Sequence, residues 1–220
     1  MIDPIPTELN LNNLRDVFSG ITHLEAFIFY GTLLGYQREG NILSNDDDVD
    51  IFLNAKHREQ LLEYLNKTDF EITIYPKYRW YYRTKTPLVI QASRKQNGLA
   101  TFVDFYLYQD ENINYISERW NFGSTWKDET TSLHVPKNLV FPLKQVKMQG
   151  ITINVPAKTE EICRFLYGAN WQIPAEKGKD YISRTINNKP VCIEIPPKSG
   201  IILKTIHIIK LIFNYIYYHI

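Results

Sequence analysis

From Asp48 the chain alternates Asp48, Val49, Asp50, Ile51 and then runs on through Phe52 and Leu53, so a single short strand carries two carboxylates on one face. Those carboxylates lie roughly 7 Å apart along the strand. Like charges so close disfavour ionisation of one another unless a cation lies between them. Asp46 and Asp47 come immediately before, which places four aspartates within positions 46–50. Any fold that accepts this strand must supply either solvent or a positive charge to its acidic face.

What precedes the acids narrows the choice. Ala26–Tyr30 is an apolar run that reads as a buried strand. Gly31-Thr32 breaks it, and Leu33–Arg38 is the start of a short helix. A strand–glycine–helix junction exposes backbone N–H groups that suit an anion. Gly31, Thr32 and, about two helical turns on, Arg38 are therefore the candidate phosphate-binding groups. Hard oxygen donors with no Cys or His beside them favour Mg²⁺ or Mn²⁺ over zinc. A calcium loop counted from Asp46 fails, because Ile51 stands where glycine belongs and His57 where a glutamate belongs. A solvated acidic turn leading into a strand is the plain alternative.

At 220 residues the chain has room for one large domain, or one domain with a small annex. An apolar share of 44% is ample for a core. A net charge of +1 argues against a nucleic-acid partner, which calls for a basic excess. Cys163 and Cys192, the two cysteines, indicate neither a disulfide framework nor a zinc site. The first ten residues lack the basic flank and apolar core of a signal peptide, and a cytoplasmic location is expected.

Thr7–Ile21 has its apolar residues at helical spacing and reads as a packing helix. Ala55–Asn66 reads as another, with His57 and Arg58 on its surface. From Phe70 to Tyr108 the pattern is strand after strand: EITIYP, YRWYYRT, PLVIQAS and LATFVDFYLY. In the last, Phe102, Asp104 and Tyr106 share a face, while Val103, Phe105 and Leu107 share the other. An Asp amid so apolar a strand is costly to bury unless it is paired or binds a metal. Asp104 is thus the candidate third metal ligand beside Asp48 and Asp50, with pairing to an Arg or a backbone amide as the alternative. Arg79, Arg83 and Arg94 are candidates to steady a diphosphate or are simply strand residues.

Asp110–Pro136 is polar and irregular, with Trp120, Phe122 and Trp126, and its two tryptophans read as a lid on the core, with a platform for a base or sugar as the alternative. Leu139–Pro156 reads as a hairpin turning at Gln149-Gly150, and Lys158–Tyr167 as a helix stopped by Gly168. Residues 1–199 are expected to form one catalytic domain. In 200–220, Lys204, His207, Lys210 and Asn214 leave a broad apolar face. That tail is either a core helix or a basic helix at the membrane surface; two lysines near its middle argue against a span.

Four ordered blocks, FYGTLLGYQREGNILSNDDDVDIFL, FVDFYLY, VFPLKQVKMQGITINVP and FLYGANWQIP, resemble the LicD family across residues 24 to 175. That family includes bacterial phosphocholine transferases and is similar to the fukutin-type ribitol-phosphate transferases of animals. The resemblance implies an α+β, nucleotidyltransferase-like fold with a mixed β-sheet flanked by helices. It also implies metal-dependent transfer of a phospho-alcohol or phosphocholine unit from a CDP-linked donor to a glycan or lipid-linked saccharide. By the same resemblance Gly31 and Thr32 correspond to the phosphate-facing turn, Asp46, Asp48 and Asp50 to the acidic motif, and Asp104 to the later strand aspartate. Ser44-Asn45 stands where the family often has Pro-Trp, which touches a substrate contact rather than the metal ligands. Asp46 or Asp47 is the candidate proton acceptor. The rival activity on this scaffold is transfer of a nucleotide with release of pyrophosphate.

Overall fold

A computed structural model describes residues 6–44, 46–75, 89–96, 98–110, 112–118, 133–174, 183–186 and 189–192. Helix α1 (Pro6–Ile21) buries Leu14, Val17, Phe18 and Ile21, the stripe that its periodicity predicts. Strand β1 (Ala26–Ile28) and helix α2 (Tyr30–Glu39) follow, then β2 (Asp48–Asn54). A short 3₁₀ turn (Ala55–His57) leads into α3 (Arg58–Leu65), which turns Leu61 and Leu65 inward.

Next come β3 (Glu71–Tyr75), β4 (Val89–Gln96) and β5 (Leu99–Asp110), then the short β6 (Tyr115–Glu118) and β7 (Leu133–Pro136). A one-turn helix α4 (Lys137–Val140) precedes the hairpin β8 (Lys144–Met148) and β9 (Ile151–Val155). Helix α5 (Thr159–Tyr167) and a last hairpin, β10 (Ser183–Ile186) and β11 (Lys189–Cys192), complete the described elements.

The main sheet is mixed, in the order β1-β2-β5-β4-β3, with β6 joined to β5 and β7 to β6. Strands β2 and β5 run parallel at its centre, and the other pairs are antiparallel. A parallel central strand is covered on both faces, and every residue of β2 after Asp48 is buried. Phe52 stacks on Phe29 with ring centroids 3.9 Å apart, inside a cluster with Phe27, Tyr106 and Tyr108. The α+β class and the mixed sheet flanked by helices are as the sequence leads one to expect.

The β8–β9 hairpin turns at Gln149 (φ 49°) and Gly150 (φ 78°), the paired left-handed conformations of a tight turn matched to strand twist. Buried Asn154 docks this hairpin by donating to the carbonyls of Thr22 and Ala26.

Three boundaries differ from the sequence reading. The strand before Gly31 ends at Ile28, because Phe29 N donates to Asp50 O while Phe29 O already accepts from Leu33 N in the first turn of α2. Gly31 therefore lies within that turn rather than ahead of it. The stretch Asp110–Pro136, read as irregular, contains β6 and β7, four-residue strands too short for alternation to reveal. Residues 139–140 belong to α4 rather than to the hairpin. The segment YRWYYRT with Arg79 and Arg83, the three aromatic residues Trp120, Phe122 and Trp126, and the tail 200–220 lie outside the described residues. Among the described residues no helix is long and apolar enough to cross a membrane.

Candidate active site

The parallel register sets Asp50 directly beside Asp104 and Asp48 beside Phe102. Paired residues of neighbouring strands project to the same face, and so do residues two apart on one strand. Asp48, Asp50 and Asp104 thus come to one face from two central strands. The loop ahead of β2 adds Asp46 and Asp47: carboxylate oxygens of Asp46, Asp47 and Asp48 all lie within 4.8 Å of one another. Asp50 is only 7% exposed, whereas Asp47 is open to solvent.

Asp46, Asp47, Asp50 and Asp104 each have a fastening of their own, at the side chain or the backbone. Gly31 N donates to Asp50 Oδ2 at 2.9 Å, and Asp50 N donates to Thr32 Oγ1 at 2.8 Å. Gln91, opposite Asp104 on β4, donates its side-chain amide to Asp104 Oδ1 at 2.9 Å. Asn10 of α1, fully buried, donates to the backbone carbonyl of Asp46 at 2.9 Å. Phe102 N donates to Asp47 O, so β5 also holds the acidic loop. A Cβ added at Gly31 would stand 3.0 Å from Asp46 Oδ2 and 3.2 Å from Asp50 Oδ2, tighter than most real contacts. Glycine at this position lets the helix start lie against both carboxylates.

The electrostatics follow from this crowding. Burial pushes the Asp50 carboxyl well above its usual range, and Asp48, Asp46 and Asp104 push it further, against the opposing Gly31 N–H. Asp104 is raised to about 6, chiefly by burial, while the Gln91 amide opposes and Asp48 and Asp47 add to the rise. Tyr106, two residues beyond Asp104, is raised by burial and then by Asp50 and Asp104. The charges that act most strongly on Asp50 and Asp104 are those of neighbouring carboxylates. Among the described residues, the carboxylates close enough together to share one ion are those of Asp46, Asp47 and Asp48, with Asp50 and Asp104 further along the same face. Oxygen ligands and net negative charge are the donor chemistry that suits a divalent cation.

The three residues expected to meet a phosphate are placed differently from one another. Gly31 lies against the acids, but its N–H is bonded to Asp50. Thr32 is fully buried, and its hydroxyl receives Asp50 N, so it fastens β2 rather than facing a ligand. Arg38 donates through Nε to Trp171 O at 2.7 Å and through Nη2 to Ile173 O at 2.9 Å, clamping the turn after α5. Arg94 pairs with Asp16 and Asp69 and lies 4.0 Å from the centre of the Phe70 ring, a brace between α1 and the sheet.

Asn10, Gln91, Tyr30 and Glu118 escaped the sequence reading. Gln91 needed the β4–β5 register to be seen, and Asn10 looked like an ordinary polar position near the start of an amphipathic helix. Tyr30 O–H donates to Glu118 Oε2 at 2.9 Å, and Glu118 is fully buried.

The family described as LicD/FKTN/FKRP, nucleotidyltransferase domain, matches residues 23–158. That span holds β1 through β9, and with them all five aspartates of the site; α1 lies outside it. No curated protein matches the chain significantly. A solved structure, the lincosamide antibiotic adenylyltransferase LnuA with lincomycin bound, is similar with a TM-score of 0.46 and 13% sequence identity. The similarity covers 71% of this chain and 84% of that one.

Proposed function

The chain belongs to the LicD family through its nucleotidyltransferase domain, and on that premise we propose that it transfers a phospho-alcohol or phosphocholine unit from a CDP-linked donor to a hydroxyl of a glycan or lipid-linked saccharide. The observation that carries this reading is the pairing of Asp50 with Asp104 across two central strands, with Asp48 on the same face. In this reading Asp48, Asp50 and Asp104 hold Mg²⁺ or Mn²⁺. When bound, the cation supplies neutralisation of charge on the donor's diphosphate oxygens.

The chain's own residues do the rest. Asp50 is held at its carboxylate by Gly31 N–H and at its backbone by Thr32 and Phe29, so it offers a fixed ligand atom. Gln91 occupies Asp104 Oδ1 and thereby orients the carboxylate. Asp47 is exposed to solvent. Either it or Asp46, whose backbone Asn10 holds, accepts the proton of the attacking hydroxyl. The acceptor oxygen bonds to phosphorus, the bond from phosphorus to the CMP oxygen breaks, and CMP leaves. In this reading the place of work is the cytoplasm, at the inner membrane face where 200–220 forms a surface helix and away from it where that tail is a core helix, and no nucleic-acid partner is involved.

The test is product analysis with CDP-ribitol, CDP-glycerol and CDP-choline offered in turn alongside a saccharide acceptor. Release of CMP from one donor, abolished in a folded Asp48→Ala variant, is the expected result. Pyrophosphate released from ATP or CTP instead would assign the chain to nucleotide transfer, and full activity in Asp48→Ala would end the metal-site reading.

A further inference from the structure

We propose that Tyr30 and Glu118 form a latch that aims the Gly31 N–H at Asp50, which makes both of them positioning residues of the cation site; this rests on the metal-site reading above. Tyr30 immediately precedes Gly31 and has φ 41°. A bulky residue adopts that left-handed backbone only at a cost, so its surroundings must hold it there.

Two sets of contacts do so. The ring is wedged edge-on against Phe29, Phe52 and Tyr106, with centroids at 5.1, 5.4 and 5.1 Å. The hydroxyl, at the far end of the same ring, donates to Glu118 Oε2. Glu118 in turn is fixed in the sheet as the last residue of β6, paired with Tyr108 of β5. Aromatic packing resists translation of the ring but tolerates its tilt; the directional bond to Glu118 removes that freedom.

The consequence falls one residue along. The peptide unit between Tyr30 and Gly31 carries the N–H that meets Asp50 Oδ2, and its orientation follows the Tyr30 backbone. Relaxation of Tyr30 towards an ordinary conformation would swing this N–H off the carboxylate. Asp50 would then lose a hydrogen bond that opposes the repulsion of its acidic neighbours. The strain at Tyr30 is thus coupled to the placing of a metal ligand, through a bond to the last residue of β6.

The experiment is a titration of Mn²⁺ alone into the full chain by calorimetry, for wild type, Tyr30→Phe and Glu118→Gln, each with a thermal melt to confirm folding at the assay temperature. Tyr30→Phe keeps the ring and deletes only the hydroxyl. It is expected to weaken Mn²⁺ binding about tenfold or more, the usual effect of removing a group that orients a ligand. Glu118→Gln retains an oxygen acceptor for the hydroxyl and is expected to stay close to wild type. A purely structural role would lower the melting temperature of Tyr30→Phe and leave the affinity of the folded protein unchanged; that result overturns the latch while the metal reading stands. Equal weakening in both variants also overturns it, since the retained acceptor would then have rescued nothing. Failure of wild type to bind Mn²⁺ overturns the metal reading and the latch together.

Discussion

Asp50 has an uncommon position for a charged side chain: inside a strand buried on both faces, 7% exposed and beside a second acid in register. Leaving such a carboxylate unneutralised costs several kcal/mol, and the same holds in milder form for Asp104. A prediction about pH follows. The Asp104 pKa in the folded chain is about 6, above its usual 3.8, so between those values the folded state binds a proton that the unfolded state has released. Stability of the metal-free protein from this group is therefore fully present below about pH 4 and is lost as pH rises through about 6, by at most about 3 kcal/mol. Asp50 acts in the same direction. Thermal melts in chelator should show a falling midpoint from pH 4 to pH 7, and saturating Mg²⁺ should restore it at pH 7. A midpoint that rises across this range, or ignores the metal, would contradict the assignment.

At the scale of elements, the site is an intersection. Strand β2 brings Asp48 and Asp50, β5 brings Asp104, the start of α2 brings Gly31, and α1 reaches in with Asn10. The contribution of α1 has the most direct consequence, because that helix lies outside the residues that match the family. Asn10→Ala removes the side-chain bond from α1 to the Asp46 carbonyl and loosens the acidic loop at one end. It is expected to cost about 1 kcal/mol in stability and to weaken Mn²⁺ binding by about tenfold, measured by denaturant unfolding and calorimetry. Unchanged affinity would reduce α1 to a packing element. Much of this arrangement was legible beforehand. The alternation from Asp48 and the lone Asp104 gave both acidic strands and their faces, since a period of two survives any context that buries one side. The fastenings were not legible: Gln91, Asn10 and Glu118 act across strand registers and between elements, and no local pattern encodes those. Arg38 looked like a phosphate ligand because spacing from Gly31 says nothing of the Trp171 and Ile173 carbonyls that fold back onto it.

For the molecule as a whole, the sheet is a frame that sets two central strands in one register, and the packing of α1 and of the β8–β9 hairpin keeps that frame from shifting. Asn154, tied to the Thr22 and Ala26 carbonyls, and Arg94, tied to Asp16 and Asp69, hold the flanking layers to it. The frame was foreseeable as a class, an α+β fold with a mixed sheet. The strands β6 and β7 were not, though they supply the partner that holds Tyr30. Family membership assigns the domain, and the acidic face gives the chemistry a place. The most direct measurement is an anomalous-difference map from crystals of the full chain soaked in Mn²⁺. A peak bounded by the carboxylates of Asp48, Asp50 and Asp104 is the predicted result; no peak there, or manganese held only by the Asp46–Asp47 loop, would contradict it.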